Sequence, residues 1–497
     1  SLWSLSIMRR LIAPVMAAAL LTPTLASAQE GGDTEIMQNA LAAGYKALFT
    51  CSATFTAGKS LNEIEFNELD GIYVDYRKPM RSTSEPSIND RNRTVAVRYE
   101  RGEPPRIAVW RDGLGCSLLP IGADPSAEDW LPRFGGPVPR QANDVSTAIG
   151  SDVQLVDPTF YNVRLEAPVN FAFDGNTYGR GNRTSAVVIV KDGQVMAERY
   201  GRGMDAETPQ RTWSVAKSLT ATIIGAALEQ GMMDLDYPAL VENWTAGGDP
   251  RRNITLRDTL QMASGLDSGV TGSRTDRTYF GGARVVDTAL TNPLEVTPGE
   301  RFKYSNYDTL AAMRGLRETM KDDQRYWRFP YEALLHKIGA LNTTLETDWG
   351  GDFVSSSQVW MTARDMARLG QLYIQDGYWA GERILPQGFV DFVRRPGAAQ
   401  PDRTDPGSFG YGASFWLLDR FPGIPSDTYA GIGNRGQYLV IVPSLDIVIV
   451  RRGFDVAGQE GFDIVAFTRD VLSSIDMATS DMLAAQTAAS DLERQRD

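Results

Sequence analysis

Two stretches set the first expectation about the fold. Residues 184–201 read TSAVVIVKDGQVMAERYG, two β-branched runs split by Asp192-Gly193. Asp-Gly is favoured in tight two-residue turns, so the stretch predicts a β-hairpin. Residues 436–453, GQYLVIVPSLDIVIVRRG, predict a second hairpin turning at VPSLD. Each half reads as almost uniformly apolar, which predicts central strands covered on both faces. Between the hairpins the apolar positions recur at helical spacing over 214–230, 255–264, 306–320, 331–338 and 362–376. Strands at both ends and helices between them predict one sheet closed by the two ends of this region, with a largely helical insert. Upstream, residues 33–50 carry a helical pattern, and 93–102 and 105–113 read as strands joined by turns. Residues 121–150 are rich in Pro, Gly and Asp with weak periodicity, as in a linker or an extended wrap. Residues 476–497 are polar and alanine-rich, which predicts a loose terminal helix without a functional role.

Composition narrows the function classes. The chain has 497 residues, enough for a large core, and a formal net charge of -12. That acidity argues against nucleic acid or an anionic membrane as partner. The single histidine, His336, lies at the end of a helical pattern near Gly339, so a multi-histidine metal site cannot form. Any acyl-transfer chemistry would take its base from another residue type. The N-terminus carries Arg9-Arg10, an apolar run and Ala26-Ser27-Ala28, the three parts of a secretory signal peptide. Residues 1–7 precede the methionine that would start such a signal, and cleavage is expected after Ala28. The apolar run is broken by Pro14 and Pro23, so no stable membrane anchor is expected after cleavage. Export implies a periplasmic or secreted protein in an oxidising space. There Cys51 and Cys116 are expected to form a disulfide, with two buried free thiols as the alternative.

One short stretch carries candidate chemistry. In TWSVAKSLTA, residues 212–221, Ser214 stands three positions before Lys217. The apolar stripe Val215, Leu219, Ile223 and Ala226, closed by Gly231, predicts a buried helix with Ser214 in its first turn. The spacing brings the lysine amine beside the serine hydroxyl. Burial would lower the lysine pKa toward the range of a general base. The helix N-terminus adds a positive field and an N–H for a developing oxyanion. A second stretch, PGERFKYSNYDTL over 298–310, offers Tyr304 and Asn306 just before a helical pattern. A tyrosine near a lysine would be held partly as phenolate and act as base and acid. Asn306 would orient Lys217 and a substrate carbonyl.

With these motifs the sequence resembles the penicillin-recognising serine hydrolases, closest to the class C-type β-lactamase-related branch that includes 6-aminohexanoate-dimer hydrolases, esterases and D-amino-acid peptidases. WSVAKS matches the family's S-x-x-K and YSN its Y-x-N; 254–267 and 361–377 resemble two further family segments, and the likeness covers roughly 180–475. The resemblance implies an α/β domain plus an all-α domain, the β-lactamase and penicillin-binding-protein transpeptidase fold: a central antiparallel sheet flanked by helices, with a helical subdomain. The expected organisation is an upstream segment and signal over 1–28, a small disulfide-stapled N-terminal region and linker over 29–165 with nothing catalytic in it, the hydrolase domain over 166–475, and the tail over 476–497. The resemblance also implies Ser214 as nucleophile, Lys217 and Tyr304 as base and acid, and a second oxyanion N–H from Ile432 or Gly433, with no cofactor and no metal. One motif departs from the pattern. Where class C β-lactamases carry K-T-G, this chain reads YAGIGNRGQ over 429–437, and Arg435 is the candidate to replace the anion-binding lysine. The expected activity is hydrolysis of a small-molecule ester or amide. A cell-wall D-peptidase or β-lactamase, and a catalytically silent binding module, are the alternatives. The segments 348–360 and 410–416 are expected to line the pocket with aromatic residues.

Overall fold

The computed structural model describes residues 34–139, 163–267 and 276–475. The expected signal sequence and the tail after 475 lie outside the described residues, as does part of the stretch read as a linker. The N-terminal part holds helix α1 (Glu35–Phe55), α2 (Leu61–Ile64, continued as a π-turn to Leu69) and α3 (Val74–Arg81). Strands β1 (Ser87–Asn89), β2 (Thr94–Val97), β3 (Arg106–Arg111) and β4 (Gly115–Leu118) follow as an antiparallel meander. After α4 (Val163–Ala172), β5 (Thr184–Lys191) and β6 (Gln194–Tyr200) form the first hairpin. The short β7 (Gln210–Arg211) leads into α5 (Val215–Glu229). The helical insert contains α6 (Leu256–Leu260), α7 (Asp276–Phe280), α8 (Val285–Ala289), α9 (Asn306–Met320) and α10 (Asp323–Pro330). β8 (Thr343–Leu345) and β9 (Val359–Met361) complete a three-stranded sheet with β7, and α11 (Ala363–Ile374) returns to the main sheet. The two-stranded β10 (Tyr378–Trp379) and β11 (Glu382–Arg383), helix α12 (Phe389–Arg394), β12 (Gly410–Tyr411), β13 (Trp416–Leu417), β14 (Tyr429–Gly433), β15 (Gln437–Val442) and β16 (Ile447–Gly453) follow.

The main sheet has seven antiparallel strands in the order β12-β13-β14-β15-β16-β5-β6. The pairing of β16 with β5 joins the two sequence-distant hairpins, as the apolar pattern predicts. Alternation then splits each central strand between two cores. Val188 and Val190 face α5 and α11, whereas Val187 and Ile189 face α4 and the terminal helical residues 464–475. Both faces are covered, so these strands need no polar side. Gly370 of α11 lets helix and sheet approach closely, since a Cβ there would lie 2.6 Å from Val448 Cγ1.

Three local expectations need correction. β6 is an edge strand, not a central one. Its Glu198, 5% exposed, is paired by a salt bridge from Arg364 of α11 at 2.6 Å. The helix expected over 255–264 stops at Leu260, because Met262 takes a left-handed φ of 58°. The helix expected over 331–338 is a π-turn, Tyr331–Leu335, that continues α10.

α1 is buried along most of its length. It shares one apolar core with β2–β4, with α8 and with Tyr307, Leu310 and Ala311 of α9. The N-terminal meander is thus packed into the helical layer. Cys51 of α1 and Cys116 of β4 are disulfide-bonded with their Cα atoms 6.2 Å apart. Beside the bridge, the buried Glu346 accepts from the Cys116 N–H (2.6 Å) and the Ser52 hydroxyl (2.8 Å). No helix among the described residues is long and apolar enough to cross a membrane.

Candidate active site

The chain enters the site through a strained turn. From β7 it passes Thr212, whose N–H donates to Val359 O (2.8 Å), to Trp213 at a left-handed φ of 49°. Such a conformation costs a non-glycine residue about 1–3 kcal/mol and persists where the surroundings impose it. Here the Arg211 guanidinium lies 4.5 Å over the Trp213 ring and 4.3 Å over Phe49 of α1. The turn delivers Ser214 to the start of α5 with its hydroxyl beside Lys217 and Tyr304.

One helical turn on, Lys217 is 1% exposed. Its Nζ lies 2.9 Å from Ser214 Oγ, 2.7 Å from Asn306 Oδ1 and 3.0 Å from the Ser356 carbonyl. Burial lowers its pKa to about 7, and among the described residues no carboxylate pairs with it to hold the charge. Asn306 and Ser356 offer only oxygen acceptors to Nζ. A neutral amine donates its two N–H bonds to them and turns its lone pair on the Ser214 hydroxyl. The surroundings therefore suit the form of lysine that accepts a proton.

Tyr304 hydrogen-bonds the Ser214 side chain, and Lys217 Nζ lies 5.0 Å from the centroid of its ring. Burial pushes the phenol pKa up, with the Ser214 hydrogen bond opposing and the Tyr279 and Tyr73 hydroxyls adding to the rise. This corrects the expectation of a partial phenolate. The amine sits over the ring face, and loss of water around the oxygen outweighs the Ser214 hydrogen bond, so the neutral phenol is favoured. Ser214, Lys217, Tyr304 and Asn306 converge, as their motifs predict. The ring of Tyr304 packs against Trp416 (5.3 Å between centroids) and Tyr411 (6.2 Å). Both lie in the 410–416 segment expected at the pocket, and the 348–360 segment reaches the site through Ser356.

β14 brings the fourth wall. Gly431 and Gly433 face α5. A Cβ on Gly433 would lie 2.4 Å from Thr212 O and 3.1 Å from Ser214 N, so only glycine lets the strand lie there. The Ile432 side chain turns to the opposite core. Backbone parity then separates the two oxyanion candidates. Leu418 N donates to Thr428 O (2.9 Å), and in an antiparallel ladder alternate residues point their N–H groups the same way. Residues 428, 430 and 432 direct theirs toward β13, while Gly433 directs its own toward β15. β13 pairs only as far as Trp416↔Ala430, which leaves the Ile432 N–H at an open edge.

Arg435 does not replace the missing lysine. It is 5% exposed, and its guanidinium donates to Asp455 O (2.9 Å), Asn67 O (2.7 Å), Asp70 O (2.9 Å) and Phe454 O (3.1 Å). The left-handed turn on which it sits, φ 60°, carries the side chain away from the serine. Three contributors have no sequence signature. Ser356 acts through a carbonyl that any residue possesses. Tyr279 of α7 hydrogen-bonds the Ser356 side chain. Tyr73 belongs to the N-terminal region, for which the sequence predicts nothing catalytic, yet its hydroxyl accepts from Asn434 Nδ2 at 2.9 Å. His336 packs on Tyr331, and burial lowers its pKa.

An antiparallel sheet closed by two distant hairpins, with a serine and lysine on the helix that follows the first hairpin, defines the β-lactamase and penicillin-binding-protein architecture. The chain belongs to the β-lactamase family, whose model matches residues 173–451. It is similar to the 6-aminohexanoate-dimer hydrolase of Paenarthrobacter ureafaciens, 25% identical over 354 residues that cover 66% of this chain and 88% of the relative. Among solved structures, a Bacillus anthracis protein provisionally named 6-aminohexanoate-dimer hydrolase superposes with a TM-score of 0.51 at 23% identity, covering 70% of this chain and 88% of its own. EstCE1, described as a hydrolase with promiscuous acyltransferase activity, superposes with a TM-score of 0.50 at 17% identity over 63% of this chain and 98% of its own. These two superpositions speak for the fold.

Proposed function

We propose that the protein is a serine hydrolase of small esters or amides that works through an acyl-enzyme on Ser214. The observation that carries this reading is Lys217, a buried amine with the Ser214 hydroxyl at 2.9 Å, no carboxylate partner among the described residues and a pKa lowered to about 7. A binding module has no use for so costly a burial.

In the first step Ser214 Oγ forms a bond to the substrate carbonyl carbon and its proton passes to Lys217. The carbonyl π electrons move onto oxygen, where the N–H groups of Ser214 and Ile432 receive the charge. Collapse of the tetrahedral intermediate breaks the bond to the leaving alcohol or amine, and the Tyr304 hydroxyl supplies a proton to it. The phenol is re-protonated from Lys217, which restores the neutral amine. Water then adds to the ester of Ser214 by the same route and releases the acid. Asn306 and Ser356 hold Lys217 throughout. The raised pKa of Tyr304 keeps its hydroxyl protonated at neutral pH, so it holds a proton to pass on, and leaves Lys217 as the base of the first step.

The β-lactam and cell-wall reading needs a cation for a substrate carboxylate on this strand, and Arg435 is already engaged by backbone carbonyls. The similarity to a 6-aminohexanoate-dimer hydrolase supports a linear amide or ester. The Cys51–Cys116 disulfide supports an oxidising compartment, periplasmic or secreted. The deciding experiment compares the wild type with Ser214→Ala on short p-nitrophenyl esters, a 6-aminohexanoate dimer, a D-alanyl amide and nitrocefin. Ester turnover should vanish in the variant; turnover that survives removes Ser214 as nucleophile.

A further inference from the structure

The turn after β14 is held from outside the span matched by the family. Arg435 and Gly436 both have left-handed φ, 60° and 85°. The conformation is strained at Arg435, so its neighbours must impose it. They do so from two directions. Phe454 and Asp455, just past β16, take two of the guanidinium's hydrogen bonds, and Asn67 and Asp70 of the N-terminal part take two more. The same N-terminal segment is fastened elsewhere. Gly71 O accepts from Ala457 N (2.8 Å), and Asp70 pairs with Arg183 (2.8 Å). At its end, the Tyr73 hydroxyl accepts from Asn434 Nδ2 at 2.9 Å. Asn434 directly follows Gly433, which packs against the Ser214 backbone, and stands two residues from the open N–H of Ile432.

We propose that the segment 67–73 is a clamp on the oxyanion strand, with Tyr73 a positioning residue that acts through Asn434. The proposal rests on the serine-hydrolase reading and adds to it a part of the chain that precedes the matched residues 173–451. The physical reason is the steepness of oxyanion stabilisation with geometry. An N–H donor serves the transition state only when it meets the position the oxyanion will take. Small displacements are felt in rate, not in substrate affinity. β14 has lost its β13 neighbour at Ile432, so the ladder to β15 and the turn at 434–436 are what remain to place that N–H. A hydrogen bond from Asn434 to a tyrosine anchored by its own segment closes the turn on its free side.

The test uses the full chain with its disulfide intact. Tyr73→Phe, Asn434→Ala and the double variant are compared with wild type by the acylation burst with p-nitrophenyl acetate. Competent sites are counted with a fluorophosphonate, and melting temperatures are recorded. Each single variant should acylate about fivefold to tenfold more slowly per competent site, the rate equivalent of one lost hydrogen bond, with KM within about twofold. The double variant should fall no further than the slower single, because both changes remove the same contact. Acylation at the wild-type rate in both singles, or losses that multiply in the double, would overturn the clamp. A rate loss matched by a rise in KM or by a lowered melting temperature counts against it too. Ser214→Ala separates the clamp from the reading it rests on. A burst that survives in Ser214→Ala sinks the serine-hydrolase reading. A burst abolished there but unchanged in Tyr73→Phe and Asn434→Ala sinks the clamp alone.

Discussion

The sharpest quantitative consequence of the site concerns Lys217 and proton linkage. In the unfolded chain its pKa is the ordinary 10.5, and in the fold burial lowers it to about 7. The folded pKa is the lower one, so between the two values the unfolded state binds more protons and stability rises with pH. The cost of burying the amine is therefore complete below pH 7 and fades as pH climbs toward 10.5. A tenfold change in a proton-binding constant is worth about 1.4 kcal/mol, so the cost at pH 7 is about 4 kcal/mol and at pH 9 about 2 kcal/mol. Lys217→Met keeps the length of the side chain and removes the titration. It also leaves Asn306 Oδ1 and the Ser356 carbonyl without their donor, a loss that does not change with pH. The difference in unfolding free energy between wild type and variant should thus move by about 2 kcal/mol in favour of the wild type from pH 7 to pH 9. Urea unfolding of both proteins at pH 6, 7, 8 and 9 measures it, since every other titrating group cancels in the difference. A difference that stays flat over this range would mean that Lys217 keeps an ordinary ammonium in the fold and cannot serve as the general base.

Other consequences are directly measurable. The acylation rate should rise with pH through an apparent pKa of about 7 and level off above it, as the Lys217 amine loses its proton. A limb that falls over the same range would contradict the assignment. Tyr304→Phe should leave a folded protein whose kcat is lower by about 10²–10⁴, the usual contribution of a positioned acid or base, and should retain that ascending limb. Gly433→Ala forces a Cβ to within 2.4 Å of Thr212 O, so β14 and the Ser214 turn must separate. Its kcat should drop by at least about 10²-fold, comparable to the loss of one oxyanion donor, and Ile432→Val, which alters only the far face, should keep near-normal rates. Replacing Cys51 and Cys116 together by serine removes a link between residues 65 apart and should cost about 4 kcal/mol of stability in the chain-entropy picture, read from denaturation with and without reductant.

Much of the reaction centre is visible in the amino-acid order because it depends on local spacing. Ser214 and Lys217 occupy one helical turn, and a buried apolar stripe places that turn inside. Tyr304 and Asn306 stand at the start of another helix. The two hairpins announce themselves through β-branched runs and turn residues, and their uniform apolarity implies a sheet covered on both sides. Periodicity reads less well where polar tasks intrude. β6 departs from the apolar run of β5 at Glu198 and Arg199, and Glu198 turns to Arg364 of α11.

What local spacing cannot express is the meeting of distant segments. The phenolate expected at Tyr304 fails because the sign of a pKa change depends on how much water burial removes and on where the amine lies relative to the oxygen. Arg435 is a plausible anion contact in one dimension, yet the hairpin turn directs it to the carbonyls of Asn67 and Asp70 in the N-terminal part. Ile432 and Gly433 are indistinguishable as oxyanion donors until the pairing of β13 with β14 fixes which N–H is left open. Helical and strand periods are short-range properties of the chain, and the sequence specifies them by itself. Burial, ladder parity and the destination of a long side chain are set by packing between segments that local periodicity does not relate, and only the tertiary structure decides them.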